Sequence, residues 1–226
     1  MKKKEIYYGR HSIDDDDIKA VVKTLKSDFI TQGPQVPLFE NSIKKYCGVD
    51  YGYAVNSATS ALHISCLALD LGPGDILWTS ANTFVSSSNC AILVGAKVDF
   101  VDIDRNTLNM STLCLEEKLI AAKKNNCLPK IVVPVHFAGQ SCNMKKIYEL
   151  SKIYDFKIIE DASHAIGGYY KNSPVGSCQY SDICVFSFHP VKIITTGEGG
   201  IALTKSKTIA EKLEKHRSHG IHSSKK

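Results

Sequence analysis

Three segments of the 226-residue chain carry side chains whose types and spacing suit chemistry as well as packing. The richest is Phe186-Ser187-Phe188-His189-Pro190-Val191-Lys192-Ile193-Ile194-Thr195-Thr196-Gly197-Glu198-Gly199-Gly200. A lysine in an apolar, hydroxyl-bearing loop between a proline and a glycine turn is expected to be partly desolvated. Desolvation lowers its pKa toward that of an amine able to attack a carbonyl carbon. A surface lysine beside a tight turn is the plain alternative. The second segment, Lys157-Ile158-Ile159-Glu160-Asp161-Ala162-Ser163-His164, runs an apolar strand pattern into two acids. A carboxylate at the tip of a buried strand needs a cationic or hydrogen-bonding partner, such as a protonated ring nitrogen. The third, Asn56-Ser57-Ala58-Thr59-Ser60-Ala61-Leu62, leads into a helix. Small residues there allow close backbone approach, and free amides at a helix start attract an anion such as phosphate. The same residues also make an ordinary Ser/Thr cap. The order is neither GxGxxG nor GxxxxGK(S/T), which weakens dinucleotide and P-loop readings.

An anion cradle, an acid and an amine are together the contacts that pyridoxal phosphate requires, at its phosphate, its pyridinium nitrogen and its aldehyde. Phe84, soon after a strand pattern, is placed to stack on such a ring, or else to fill core.

Seven short apolar runs are expected to be strands: Tyr51 to Val55, Ile76 to Thr79, Lys97 to Val101, Ile131 to Val135, Lys157 to Glu160, Asp182 to Phe186 and Gly200 to Leu203. Between them fall helical patterns near 58–70, 84–94, 112–125 and 143–155. The alternation predicts an α/β fold, a seven-stranded, mainly parallel sheet with helices on both faces. Ligands of such sheets sit beyond the carboxyl ends of the strands, where all three segments fall. Upstream, Ser12 with Asp15 reads as a capping box before Ile18, Val21, Val22 and Leu25, with Asp14 to Asp17 in the first turn of that helix. After the loop Ile30-Thr31-Gln32-Gly33-Pro34 a second helix is expected from about Leu38. Downstream, Thr208 and Glu211 read as the box of a last helix that stops at Gly220. The chain thus divides into an N-terminal arm with helices (1–49), a large alternating unit (50–205) and a connecting helix with the end of the chain (206–226).

Composition narrows the classes. The chain is 43% hydrophobic and 23% charged, which excludes a disordered or collagen-like protein. No apolar stretch approaches the ~20 residues of a membrane span, and the basic start lacks the apolar core of a secretory signal. The net charge of +5 sits in residues 205–226, so a nucleic-acid-binding domain is not expected. Eight cysteines without a CxxC pair read as buried apolar side chains of a cytoplasmic protein, not as bridges or zinc ligands. Two metal patterns are weak. Asp102-Ile103-Asp104 invites a metal-dependent glycosyltransferase but leaves Lys192 and Asp161 unexplained. His216, His219 and His222 straddle the helix-breaking Gly220.

The segments Asn56-Ser57-Ala58-Thr59-Ser60, Thr83-Phe84-Val85, Val133-Pro134-Val135-His136-Phe137-Ala138-Gly139-Gln140, Glu160-Asp161-Ala162-Ser163-His164 and Ser187-Phe188-His189-Pro190-Val191-Lys192 together resemble the DegT/DnrJ/EryC1/StrS sugar aminotransferases. Within that family, Ser-Phe-His-Pro-Val-Lys followed by Ile-Thr-Thr-Gly-Glu-Gly-Gly, with Ile30 to Pro34, is most similar to the pseudaminic acid branch. The resemblance runs from about Tyr7 to Ile221. It implies the large domain of a fold-type I enzyme that uses pyridoxal 5'-phosphate. Lys192 is then the amine that binds the cofactor's aldehyde and Asp161 the partner of its pyridine nitrogen. Phe84 stacks on the ring, and Ala58, Thr59 and Ser187 hold the phosphate. His164 stands where relatives often carry Gln to contact the phenolic oxygen. Tyr8, Thr31, Gln32 and Gly33 match segments that contact the nucleotide sugar, often across a subunit boundary of a homodimer. The implied reaction moves the amino group of L-glutamate to C4 of a UDP-linked 4-keto-6-deoxy-N-acetylhexosamine. Family members run on into a smaller C-terminal domain, so the resemblance also implies a truncated chain that turns over weakly or not at all alone, or serves as a non-catalytic partner subunit.

Overall fold

A computed structural model describes Tyr7 and residues 9–221. In chain order the elements are α1 (Asp15–Leu25), α2 (Gln35–Cys47), β1 (Tyr51–Val55), α3 (Ala58–Ala68), β2 (Ile76–Ser80), α4 (Ser86–Ile92), β3 (Lys97–Val101), α5 (Thr112–Lys124), β4 (Ile131–Val133), a 3-10 turn (Phe137–Gly139), α6 (Met144–Tyr154), β5 (Lys157–Asp161), β6 (Tyr169–Tyr170), β7 (Ser173–Pro174), β8 (Ile183–Ser187), β9 (Gly200–Thr204) and α7 (Lys207–Arg217).

Seven strands form one sheet in the order β1-β9-β8-β5-β4-β2-β3, while β6 and β7 make a separate small hairpin. The pairs β3–β2, β2–β4, β4–β5 and β5–β8 are parallel, and β9 runs antiparallel to both β8 and β1. The carboxyl ends of β1, β2, β4, β5 and β8 therefore open on one edge of the sheet, joined there by the amino end of β9. Strands β8 and β9 are buried at every position, as their unbroken apolar runs require when helices cover both faces. The edge strand β3 instead exposes Lys97 and Asp99, charges that discourage pairing with another strand.

One face packs α3 and α7 through Leu62, Ile64, Cys66 and Leu213, and the other packs α5 and α6 through Leu115, Leu119, Ile147 and Leu150 around Trp78. A third cluster, with Ile43, Cys47, Phe186, Phe188 and Leu203, seats α2 against the antiparallel end. At that end Arg217 of α7 forms an ion pair with Glu40 of α2, and Glu40 Oε1 also accepts the Ala54 amide at 2.8 Å. The guanidinium lies 5.1 Å from the Tyr53 ring centroid, so α7 is tied to both α2 and β1.

All seven expected strands form, with ends shifted by at most two residues. Several local expectations are corrected. The first cap is Asp14, whose carboxylate takes the Asp16 and Asp17 amides while Asp17 returns a bond to the Asp14 amide, so the box is Asp14 with Asp17, not Ser12 with Asp15. A carboxylate two residues closer to the helix outcompetes the serine for the same orphan amides. Ser206, not Thr208, caps α7 by accepting the Ile209 amide. Helix α2 starts at Gln35, because Pro34 already has helical backbone angles. Helix α4 starts only at Ser86, which leaves Phe84 in the loop before it. Not every cysteine is buried: Cys127 is exposed and Cys114 half-buried, and all eight are free thiols. Ile18, Val21, Val22 and Leu25 do line up along α1, yet α1 buries no residue.

Candidate functional site

The edge where the carboxyl ends gather encloses a cavity of about 620 Å³, a size that suits a cofactor or small ligand. Ser57, Ala58 and Thr59 follow β1, Asn82 to Phe84 follow β2, Val135 to Ala138 follow β4, and Asp161, Ser163 and His164 close β5; Ser187, His189 and Lys192 follow β8. Three segments far apart in sequence thus supply an anion site, an acid and an amine to one space.

The anion site is built by the start of α3. Ser57 caps the helix by accepting the Ser60 amide at 3.1 Å, and the amides of Ala58 and Thr59 in the first turn have no intrahelical acceptor. Thr59 adds a hydroxyl bonded to Ser86 Oγ at 2.7 Å, and Ser187 a second one from the buried tip of β8. Gly200 explains the close fit of β9: a Cβ there would lie 2.4 Å from the Ser57 carbonyl carbon and 2.5 Å from the Ala58 nitrogen. Any side chain would push the helix start away.

Alternation along β5 decides which of its two acids enters the cavity, because successive side chains point to opposite faces. Asp161 does, whereas Glu160 turns away to meet His136 Nε2 at 2.9 Å and the Ser181 hydroxyl. Asp161 is itself buried but well supplied with donors. Ser87 Oγ donates to Oδ2 at 2.6 Å, and Ser163 donates to Oδ1 through its hydroxyl at 2.6 Å and its amide at 3.2 Å.

Lys192 Nζ and His164 Nε2 stand 2.5 Å apart. Burial lowers the pKa of both groups; the lysine's charge lowers the histidine further, while Asp161 acts in the opposite direction on each. The lysine is therefore closer to a free amine than a surface lysine would be, as its loop composition suggested. Gly139, at φ +89°, lets the turn after β4 pack closely on the His164 backbone, since a Cβ there would meet the His164 carbonyl oxygen at 2.6 Å. Phe84 is 73% exposed and lines the cavity wall, so its ring is not core.

Ala58, Thr59, Phe84, Asp161, His164, Ser187 and Lys192 thus meet in one cavity. Thr31, Gln32 and Gly33 do not: they lie in the loop between α1 and α2 and do not line it. Tyr8 lies outside the described residues. Sequence reasoning missed Thr83, Ser86, Ser87 and Ser163. The signal for one pair was present, since Thr83 and Ser87 are a helical turn apart, the spacing at which side chains face each other. Asp104, half of the alternative metal pattern, spends Oδ1 on the Asn106 and Thr107 amides of its own turn. Among the described residues no three His, Cys, Asp or Glu side chains converge on a metal position, and no helix is long and apolar enough to cross a membrane.

The profile of the DegT/DnrJ/EryC1/StrS aminotransferase family matches residues 11–226. The chain is 42% identical over 216 residues to a UDP-4-amino-4,6-dideoxy-N-acetyl-beta-L-altrosamine transaminase of Campylobacter jejuni, covering 96% of this chain and 56% of that protein. It is 39% identical over 212 residues to the UDP-4-amino-4-deoxy-L-arabinose–oxoglutarate aminotransferase of Shewanella sediminis, covering 94% and 52%. Among solved structures, Helicobacter pylori PseC, an aminotransferase of pseudoaminic acid biosynthesis, superposes with a TM-score of 0.87 at 34% identity, covering 97% of this chain and 57% of that one. The chain spans about half the length of the curated relatives it matches.

Proposed function

The chain belongs to the DegT/DnrJ/EryC1/StrS aminotransferase family, and from that premise we propose that it is the cofactor-binding part of a pyridoxal-phosphate-dependent nucleotide-sugar aminotransferase. The observation that carries the proposal is the meeting of Lys192, Asp161 and the free amides of Ala58 and Thr59 in one cavity. Their chemistry fits an aldehyde, a pyridine nitrogen and a phosphate, and Phe84 offers a ring on the wall between them. When bound, pyridoxal phosphate supplies an electron sink for a carbanion formed next to nitrogen.

The chain's own groups then have distinct tasks. The Ala58 and Thr59 amides, with the hydroxyls of Thr59 and Ser187, hold the phosphate in the field of the α3 start. Asp161 accepts the pyridine N–H and favours the charged ring. Lys192 Nζ would hold the aldehyde end of the cofactor, and its amine is the group that could hold or move the donor's Cα proton. His164 Nε2 lies within reach of that same Nζ, so it competes for the lysine's proton and directs the amine into the cavity.

For substrates, the proposal is L-glutamate as donor and a UDP-linked 4-keto-6-deoxy-N-acetylhexosamine as acceptor, aminated at C4 in the cytoplasm. The known activities named for the Campylobacter and Shewanella relatives support the nucleotide sugar and the oxoglutarate half. Thr31, Gln32 and Gly33, which do not line this chain's cavity, together with Tyr8 are assigned to the sugar across a homodimer boundary. The uncovered apolar side of α1 is consistent with such a boundary.

Incubation with pyridoxal phosphate, borohydride reduction and peptide mass spectrometry test the cofactor assignment. The reduced cofactor is expected on the Lys192 peptide and absent from Lys192→Ala; modification spread over other lysines refutes it. Release of 2-oxoglutarate from glutamate, dependent on the keto sugar, tests the substrates.

A further inference from the structure

Asp161 is held by a directed chain of hydroxyls that begins beside Phe84. Thr83 Oγ1 lies 2.8 Å from Ser87 Oγ, and Ser87 Oγ lies 2.6 Å from Asp161 Oδ2. A carboxylate only accepts, so the single Ser87 proton goes to Asp161 and the Thr83 proton goes to Ser87. Ser87 is fully buried in α4, where a hydroxyl without acceptor would be unfavourable, and its two partners take its single proton and one of its two lone pairs. On the other oxygen, Ser163 supplies two donors. A carboxylate has about four lone-pair positions; three are taken, and one is left on a residue that lines the cavity.

We propose that Ser87, backed by Thr83, is a positioning residue for Asp161: it fixes the carboxylate plane so that the one free acceptor position meets the cofactor's ring nitrogen. Thr83 immediately precedes Phe84, so the same chain of hydroxyls sets the wall that covers the ring and the acid that grips its edge. Bonds in series of this kind strengthen one another in a buried setting. The inference rests on the cofactor assignment above, and it adds residues that no contact with the cofactor would reveal, since Ser87 acts only through Asp161.

The test compares dissociation constants of pyridoxal phosphate and of 1-deazapyridoxal phosphate, which has carbon in place of the ring nitrogen. Five forms of this chain are titrated by absorbance: the parent, Ser87→Ala, Ser87→Thr, Thr83→Val and Asp161→Asn. Ser87→Ala is expected to weaken pyridoxal phosphate by about tenfold, in keeping with a hydrogen bond to a charged group, and to leave the deaza analogue within about twofold. Thr83→Val, outside the deepest packing, should move in the same direction by a smaller factor, and Ser87→Thr, which restores a hydroxyl, should recover most of the loss. Equal weakening of both ligands, or of neither, by Ser87→Ala overturns the positioning role. If Asp161→Asn likewise fails to distinguish the ligands, the assignment of Asp161 to the ring nitrogen falls as well.

Discussion

Lys192 Nζ rests 2.5 Å from His164 Nε2, although 28 residues separate them in sequence. Two cations cannot occupy that distance in a half-buried place, so the pair shares at most one proton. Burial displaces the proton affinity of both groups downward, which leaves the amine available for attack.

The first expectation concerns His164 itself. Its folded pKa lies below the usual imidazole value, through burial first and the Lys192 charge second. Replacing Lys192 by Met removes the second cause only. The His164 pKa, followed by NMR, is expected to rise toward the usual value without fully reaching it; an unchanged titration would contradict the pairing.

The same shift makes stability depend on pH. Between the lowered folded pKa and the usual imidazole value the unfolded chain binds more protons, so stability rises with pH across that window and is lost on acidification. In His164→Asn this contribution disappears. Thermal melts should therefore show a shallower decline for the variant just below the usual imidazole pKa, and parallel declines would count against it.

Gly200 should not tolerate a side chain. In Gly200→Ala the new Cβ would meet backbone atoms of Ser57 and Ala58, which cannot swing aside as a side chain could. A loss of roughly 1–3 kcal/mol in urea unfolding is expected, the range for overpacking. Because the displaced element is the anion site, pyridoxal phosphate should also bind more weakly. Unaltered stability and affinity would show that the start of α3 is not pinned by β9.

The Arg217–Glu40 pair anchors α7 to α2 and β1. Arg217→Ala leaves the Glu40 carboxylate without its cation in a largely buried place. A loss of about 1–3 kcal/mol is expected from urea unfolding, since a buried charge deprived of its partner is unfavourable while partial solvent access moderates the effect. A change under about 0.5 kcal/mol would mark the pair as an ordinary surface contact.

The apolar side of α1 provides a check on assembly. Ile18→Glu with Val22→Glu places charge on two exposed apolar positions one helical turn apart, so the isolated fold should be little affected. Sedimentation is expected to show a dimer for the parent and a monomer for the double variant; identical behaviour would place the subunit boundary elsewhere.

The order of elements was readable along the chain because each depends on neighbours in sequence. Apolar runs such as Ile183 to Phe186, too short for a buried helix, read as doubly covered strands, and the interleaved helical patterns favour parallel crossovers. The choice of caps was less legible, because Ser12, Asp14, Thr208 and Ser206 all carry suitable oxygens. The decision lay in which one the backbone brought to the free amides.

The sequence by itself determined which residue types stand beyond the strand ends, and hence that an amine, an acid and helix-start amides were available. Only the tertiary structure decided that Asp161 and not Glu160 faces the cavity, that His164 meets Lys192, and that Ser87 from α4 donates to Asp161. It also left Thr31 to Gly33 out of the cavity lining. The physical reason is that local backbone preference acts over a few residues, whereas these contacts join segments 28 and 74 residues apart. Such segments meet only where the order and direction of the strands place them.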